Sequence, residues 1–449
     1  MLVDFILDQV MPQSDLIYKL SILDPACGSG IFLVEAYRRL IERWRRANKR
    51  KPTPEELTDL LKNSIFGVDI KRQALRVAAF SLYLAMLDYV EPKSIWMQVR
   101  FPPLIGANLI EADFFEESVD FKERNFDLVI GNPPWESQLT LHAQTFLDKH
   151  GYEVGDKQIA QAFLLHAPDF CDSQGQIALL CSSKSLLFNK SGPNTAFRQT
   201  FFRKFAVTRI FDFSALRHFL FEKAVAPTAA IFYQPHSPDF STTIFYGAPK
   251  PTPLMRRFAA IVIEANDIKQ LPLREVLESM DSMRVADSRV PAKQAILFPS
   301  YEEEEDTDNH AVNIWKVALW GTSYDYILLQ SLNKYPSLGE IIEKRKWISQ
   351  GGFNRGGPGK RELCKWLDNA SFIKAKDFTR FGIDFQKITC LPEGDLYYRR
   401  GNPEQFKAPL VLFKRTQVKR RIGAAYLDQD CTYTDSFTGI SYQIPFYVV

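Results

Sequence analysis

Leu20-Ser-Ile-Leu-Asp24-Pro-Ala-Cys-Gly28-Ser-Gly30, followed by the run Ile31 to Arg46, decides the fold class. Leu20 to Asp24 reads as a short strand and Ile31 to Arg46 as a helix, joined by a turn whose glycines let the backbone pass close to a ligand without Cβ contact. The third glycine of the dinucleotide fingerprint is absent, and Leu33 stands in its place. That argues against a pyrophosphate seated on the helix start. A ligand without phosphates fits better, one whose ammonium and carboxylate reach Asp24 and the loop amides.

The same alternation continues outward. Ser64 to Asp69 reads as a second strand, followed by a helix from Arg72 to Tyr89. Asn108 to Asp113 is a third strand and Phe126 to Ile130 a fourth. Gln158 to Phe170 reads as a helix, and Gln176 to Cys181, Ala206 to Phe213 and Ala226 to Tyr233 as strands. Strands alternating with helices predict βαβ units and a parallel sheet, hence an α/β domain. Residues 234–295 are rich in proline and short apolar pieces and take no assignment. The acidic run Glu302 to Asp306 resists packing and predicts a linker over 296–312. The expected division is therefore 1–295, a linker at 296–312, and a second domain at 313–449. An amphipathic helix pattern starts at Leu2, directly after Met1, and Tyr442 to Val449 reads as strand without a closing turn. Both ends suggest a piece of a longer protein.

A length of 449 residues predicts two to three domains. Apolar residues at 46% and charged residues at 24% set aside disorder, collagen and a global coiled coil. No stretch approaches the roughly 18 apolar residues of a membrane span, and no signal peptide is legible. Six scattered cysteines without a Cys-x-x-Cys pair predict neither a disulfide framework nor a metal site, and point to a reducing cytoplasm. The net charge of +3 hides an asymmetry: residues 1–312 carry 35 basic and 40 acidic side chains, residues 313–449 carry 21 and 13. A basic back part suggests contact with a polyanion; a merely basic surface is the competing reading.

The candidate cofactor residues sit at strand ends. Asp24, Ala26, Gly28 and Gly30 form the loop; Asp69 ends the second strand, where a carboxylate can take both ribose hydroxyls, with Ile70 next to it. Asp69 lies 45 residues after Asp24, wider than the spacing of about 20 in a dinucleotide fold. Asp113, beside Phe114, can accept from an adenine amino group while the ring covers the base. A lone Asp at a strand end is more often a cap, but three in register at successive strand ends point to one ligand, because open parallel sheets bind at the carboxyl ends of strands. S-adenosylmethionine answers this description.

The candidate chemical residues follow the fourth strand: Gly131-Asn132-Pro133-Pro134-Trp135. Two prolines stop the strand and fix the backbone. The Asn132 side-chain oxygen and the Pro133 carbonyl offer two acceptors for the N–H bonds of an exocyclic amine, a poor nucleophile whose lone pair is delocalised into its ring. Holding both favours tetrahedral nitrogen and stabilises positive charge developing there. Trp135 offers a flat face for a base rotated out of its stack. A plain rigid turn is the competing reading of this motif.

The order Asp24-Pro-Ala-Cys-Gly-Ser-Gly30, Asp69, Asp113-Phe114, Asn132-Pro-Pro-Trp135 resembles the amino-methylating DNA adenine methyltransferases in their gamma-type motif order, and within them the methylases of type II restriction–modification and phage-defence systems. The resemblance covers about residues 1–235. It implies a class I, Rossmann-like methyltransferase fold with a mostly parallel seven-stranded sheet, followed by a C-terminal α+β target recognition domain. It implies S-adenosyl-L-methionine as cofactor, with Asn132 also near it, and double-stranded DNA as substrate. It further implies an aromatic after the sixth strand facing Trp135 across the flipped base, for which Phe221 is preferred over Phe219. The Thr-Pro pair that opens the family's domains is absent.

In the basic region, Lys344, Lys346, Lys414, Arg415, Lys419, Arg420 and Arg421 are candidates for phosphate contacts, which position without specifying. Arg355 and Lys360, in the glycine-rich stretch Gly351 to Gly359, are candidates for base edges. Solvated faces are the competing reading. No histidine spacing suggests a metal. The sequence thus predicts a site-specific DNA (adenine-N6) methyltransferase, with a restriction nuclease or another defence subunit as a possible partner. The rivals are an RNA or protein-glutamine N-methyltransferase, which can use a similar turn, a cytosine methylase, and a non-catalytic DNA-binding subunit.

Overall fold

The structure, a computed structural model, describes the whole chain except residues 94, 96–98, 118, 120–123, 221–226, 288–313, 333–334, 357–358, 379–382, 384, 416–422 and 443–449. Two compact units emerge, Met1–Lys334 and Tyr335–Val449.

The first unit is built on β1 (Ile22–Asp24), β2 (Ile65–Asp69), β3 (Leu109–Glu111), β4 (Phe126–Gly131), β5 (Cys171–Ser182), β6 (Ala206–Asp212), β7 (Thr228–Gln234), β8 (Thr243–Gly247) and β9 (Ile268–Pro272). They form one sheet in the order β3-β2-β1-β4-β5-β7-β6-β8-β9. β1 to β5 run parallel, and β7 enters antiparallel between β5 and β6. This is the expected class I methyltransferase sheet, with the closing hairpin where the two last predicted strands lie. Two strands exceed the expected seven: β8 pairs parallel with β6, and β9 pairs antiparallel with β8. Both come from the unassigned stretch after Gln234. Ile244 and Tyr246 alternate inward there.

Both faces of the sheet are covered, so its central strands read as apolar runs. Alternation along each strand feeds two cores. Ile22, Leu128, Ile130, Ala178 and Leu180 enter one; Leu23, Val129, Ile177 and Leu179 enter the other. Burying each such leucine or isoleucine contributes about 1.5–3 kcal/mol relative to exposure. The helices α1 (Leu2–Val10), α2 (Ile31–Asn48), α3 (Pro54–Ser64) and α4 (Arg72–Leu87) contribute side chains to the first of these cores. Helix α3 occupies a stretch that the strand and helix patterns do not assign. Its start is fixed locally: Thr53 accepts from Glu56 N, the Glu56 carboxylate accepts from Thr53 N, and Pro54 takes the first helical position. The expected helix over 158–170 is α-helical only at Ile159–His166, and Pro168 sits in the tighter 3-10 turn Ala167–Phe170.

The first unit also extends further than its acidic and basic halves suggest. The helix Ile314–Trp320 packs in the first unit: Trp315, 1% exposed, lies 5.6 Å from Phe202 and 5.9 Å from Tyr246, ring to ring. The second unit thus begins at Tyr335 instead of residue 313. A charge count marks surface composition, whereas the boundary is set by which core a tryptophan enters. The proposed linker 296–312 lies outside the described residues.

The second unit contains β10 (Ile348–Gly351), β11 (Glu362–Leu363), β12 (Ser371–Ile373), β13 (Thr389–Cys390), β14 (Leu396–Tyr397), β15 (Leu410–Lys414), β16 (Ala424–Leu427), β17 (Thr432–Tyr433) and β18 (Phe437–Ser441). They make a four-stranded antiparallel sheet, β10-β18-β15-β16, and smaller sheets β11-β14 and β13-β12-β17. Its one α-helix among the described residues is Leu338–Lys344, capped by Ser337 and Glu340. Phe353, Leu367, Leu410, Leu412, Leu427, Tyr433 and Phe437 centre its core. Strand β15 ends at Lys414, one of the candidate phosphate contacts.

Candidate active site

Parallel strands in register deliver their carboxyl ends to one edge. Asp24 aligns with Gly67 across β1 and β2, Asp69 with Glu111 across β2 and β3, and Gly131 with Leu179 across β4 and β5. At this edge lies a pocket of about 620 Å³. Of the residues singled out from sequence, Ala26, Gly28, Asp69, Ile70, Asp113, Phe114, Asn132 and Pro134 border it.

The glycine loop explains part of the pocket's shape. Gly28 (φ +53°) and Gly30 (φ +83°) both take the left-handed backbone region. A Cβ on Gly28 would meet nothing within 4 Å, so that face of the loop is open. A Cβ on Gly30 would lie 2.9 Å from Ala78 Cβ, so this glycine serves the close packing of α2 against α4. Asp69 Oδ2 accepts from Gly28 N at 2.9 Å and Asp69 Oδ1 from Lys71 N at 2.8 Å, which ties the loop to the end of β2. Asp113 lies two residues beyond β3, and its Oδ1 accepts from Phe115 N at 3.1 Å.

Asp24 sits one layer behind the pocket lining. It is 1% exposed, and its Oδ1 accepts from Ala26 N at 3.0 Å. Burial pushes its carboxyl up to about 7, against the pull of the Ala26 hydrogen bond and with some help from the Asp69 charge. The carboxylate also packs against the backbone of Gly131, where any Cβ would run into Asp24 Oδ1. The glycine loop and the Asn132 turn therefore touch directly.

In that turn, Asn132 and Pro134 are exposed and Pro133 is buried. Trp135 is half-buried and packs against both cores. Phe114 borders the pocket but is 2% exposed, with Phe163 stacked on it at 5.3 Å, so it offers less open ring than the sequence suggests. Phe221 lies outside the described residues, and Phe219 is half-buried against the core that contains Phe213 and Leu216. Lining residues that sequence reasoning missed include Lys71, Glu136, Gln138, Leu139, Thr140, Ile159 and Phe163. Glu136 to Thr140 directly follow the motif, the one signal that pointed to them.

In the second unit, Lys344, Lys346, Lys360 and Arg415 are exposed. Arg355 pairs with Asp395 at 2.7 Å. Lys414 is half-buried and its ammonium donates to Ala375 O at 2.7 Å, a bond that fastens β15 within the unit and leaves it a poor phosphate contact. Lys419, Arg420 and Arg421 lie outside the described residues.

Residues 63–219 match the Eco57I restriction-modification methylase family. The type II methyltransferase M.BstVI of Geobacillus stearothermophilus is 30% identical over 193 residues, which are 41% of this chain and 32% of that protein. The type II restriction enzyme and methyltransferase RM.Eco57I of Escherichia coli is 25% identical over 173 residues, 31% of this chain and 17% of that one. The aligned stretch thus spans a third or less of these relatives. In the solved structures, the type IIL restriction-modification enzyme MmeI in complex with DNA shares the fold at a TM-score of 0.51 and 13% identity, over 99% of this chain and 60% of that one. Among the described residues, no helix is long and apolar enough to cross a membrane.

Proposed function

With a restriction-modification methylase domain matched across residues 63–219, we propose that this chain transfers a methyl group from S-adenosylmethionine to the 6-amino group of adenine in duplex DNA. The observation that carries the reading is the single pocket bordered by Gly28, Asp69, Asp113 and Asn132. The lining also speaks to the ligand's charge. Three carboxylates, Asp69, Asp113 and Glu136, border the pocket against one amine, Lys71. Such a wall repels phosphates and suits a cation, and a sulfonium with an ammonium and one carboxylate is a net cation.

In this reading Asp69 takes the ribose hydroxyls, Asp113 the adenine amino group, and Gly28 leaves room for the ligand where a side chain would stand. Asp24, behind the wall, attracts the ammonium through space. S-adenosylmethionine, when bound, supplies a methyl group already activated on sulfonium. Asn132 Oδ1 and the Pro133 carbonyl accept the two N–H bonds of the target amine and stabilise its developing positive charge. Pro133 and Pro134 hold those acceptors still, and Trp135 provides the face against which the rotated base rests. The exposed bases of the second unit, Lys344, Lys346, Lys360 and Arg415, meet the duplex.

The test is incubation with labelled S-adenosylmethionine and either duplex DNA, tRNA or a glutamine-bearing peptide. Label recovered as 6-methyladenine from duplex DNA is expected. Label only in RNA or peptide overturns the proposal, and label in cytosine overturns its choice of base.

A further inference from the structure

The turn Gly155–Gln158 holds two consecutive non-glycine residues in the left-handed region, Asp156 at φ 52° and Lys157 at φ 54°. Each such residue costs about 1–3 kcal/mol and persists only where its surroundings over-determine it. Here a buried polar network does so. Gly155 N donates to Gln161 Oε1 at 2.7 Å, and Gln161 Nε2 donates to Asn194 Oδ1 at 2.9 Å and Ser185 O at 3.2 Å. Asp156 Oδ2 accepts from Asn189 Nδ2 at 2.9 Å. Buried Arg198, with no carboxylate partner among the described residues, donates to Asn189 O at 2.6 Å and Thr195 Oγ1 at 3.2 Å. A Cβ on Gly155 would run into the Asn194 side chain, so the turn is clamped from below.

The clamped turn leans on the segment after the catalytic motif. Gln158 Nε2 donates to Ser137 Oγ at 2.5 Å, and Ile159 N to Glu136 O at 3.2 Å. Glu136 and Ile159 both border the pocket that holds Asn132. Asp156 has an internal reason to be where it is, the bond to Asn189. Lys157 has none: it is exposed, with no hydrogen bond or ion pair among the described residues, and a glycine there would relieve the strain. Lys190, next to Asn189, is likewise exposed and unpaired, so the Asp156–Asn189 bond brings two free ammonium groups onto neighbouring turns.

We propose that Lys157, supported by Lys190, contacts phosphodiester groups of the DNA strand beside the target nucleotide, and that the buried network exists to hold Lys157 in place two residues ahead of Ile159, which borders the pocket. The proposal rests on the DNA reading given above. The two ammonium groups supply sequence-independent grip within the catalytic unit itself, fixing the strand while Asn132 takes the amine.

The experiment uses the full chain and measures duplex-DNA affinity across a salt titration, with methylation kinetics in parallel. K157A should weaken DNA binding about three- to tenfold, uniformly across sequences, and lower the salt slope by about one. Its loss should fall on KM for DNA, with cofactor affinity unchanged. K157R should restore binding, and K157A/K190A should lower the slope by about two. K157G, free of the backbone strain, should fold at least as well as the wild type and still show the K157A defect, which separates the charge from the fold. DNA affinity and slope unchanged in K157A/K190A overturn the proposal. A wild type that binds DNA but methylates nothing fails the methylase reading alone, and the slope difference still decides the role of Lys157. A wild type that binds no duplex overturns both.

Discussion

Two glycine-rich turns invite comparison, Asp24 to Gly30 in the first unit and Gly351 to Gly359 in the second. In the first, Gly28 has open space where a Cβ would stand, and the space is pocket. In the second, Gly352 would drive a Cβ into the backbone oxygen of Tyr433, and Gly359 would place one 2.6 Å from the Tyr398 ring. Neither of these two shows the positive φ of Gly28 and Gly30. Gly28 thus leaves open space beside the pocket, whereas Gly352 and Gly359, like Gly30 beside Ala78, make room for the protein's own chain. Glycine content alone does not distinguish these uses; the atom that a Cβ would meet does.

Four substitutions sharpen or break that contrast. The largest effect is expected at the wall of the first turn's pocket: Asn132→Ala should lower kcat about 10²–10³-fold, the scale for one preorganised charge-stabilising group, while cofactor affinity persists in equilibrium dialysis. Equal loss of both would make the turn structural. Next comes Asp24. Its carboxyl, at about 7 when folded against an ordinary value of 3.8, favours the folded state most fully below pH 4, and that contribution is lost as pH rises through 7. Between pH 5 and 7 this amounts to roughly 2 kcal/mol, because the slope of 1.36 kcal/mol per unit halves as pH reaches the folded value. Asp24→Asn should flatten the fall in urea-unfolding stability over that range; an unchanged profile shows that Asp24 ionises freely. Gly352→Ala should destabilise the second unit by about 2–3 kcal/mol through overpacking, visible as a lower thermal midpoint, and a neutral result would remove the contrast. Smallest is Gly28→Ala, whose backbone strain costs about 1 kcal/mol. It should weaken S-adenosylmethionine binding about tenfold by calorimetry with the fold retained. A loss of stability larger than the loss of binding would place Gly28 with the packing glycines.

Where the chain announces itself, it does so through strong local patterns. Seven of the nine strands in the large sheet, β1 to β7, are legible as separate apolar runs, clearest at Ile22, Ile65 and Phe126. Strands β8 and β9 are hard to read among the prolines, because both are short and the edge strand β9 is mostly only partly buried. Helix α3 was legible in principle, since Thr53-Pro-Glu-Glu56 is a capping box. Trp315 shows where a charge count misleads: the residues after 312 are basic in composition, yet its ring enters the core of the first unit. In the site, the strand-end acids were legible because their position is set by topology. The lining from Glu136 to Phe163 was not, because a loop's path depends on contacts such as Gln158 to Ser137 that no periodicity encodes. Two successive left-handed residues at Asp156 and Lys157 leave no trace in composition at all.

The contact of the Asp24 carboxylate with bare Gly131 has a practical side for anyone grafting parts between such proteins. The segment carrying residue 24 and the one carrying residue 131 form a matched lock with no slack. A chimera that imports one without its mate, or an evolved library that lets position 131 drift from glycine, is expected to lose both halves of the site at once.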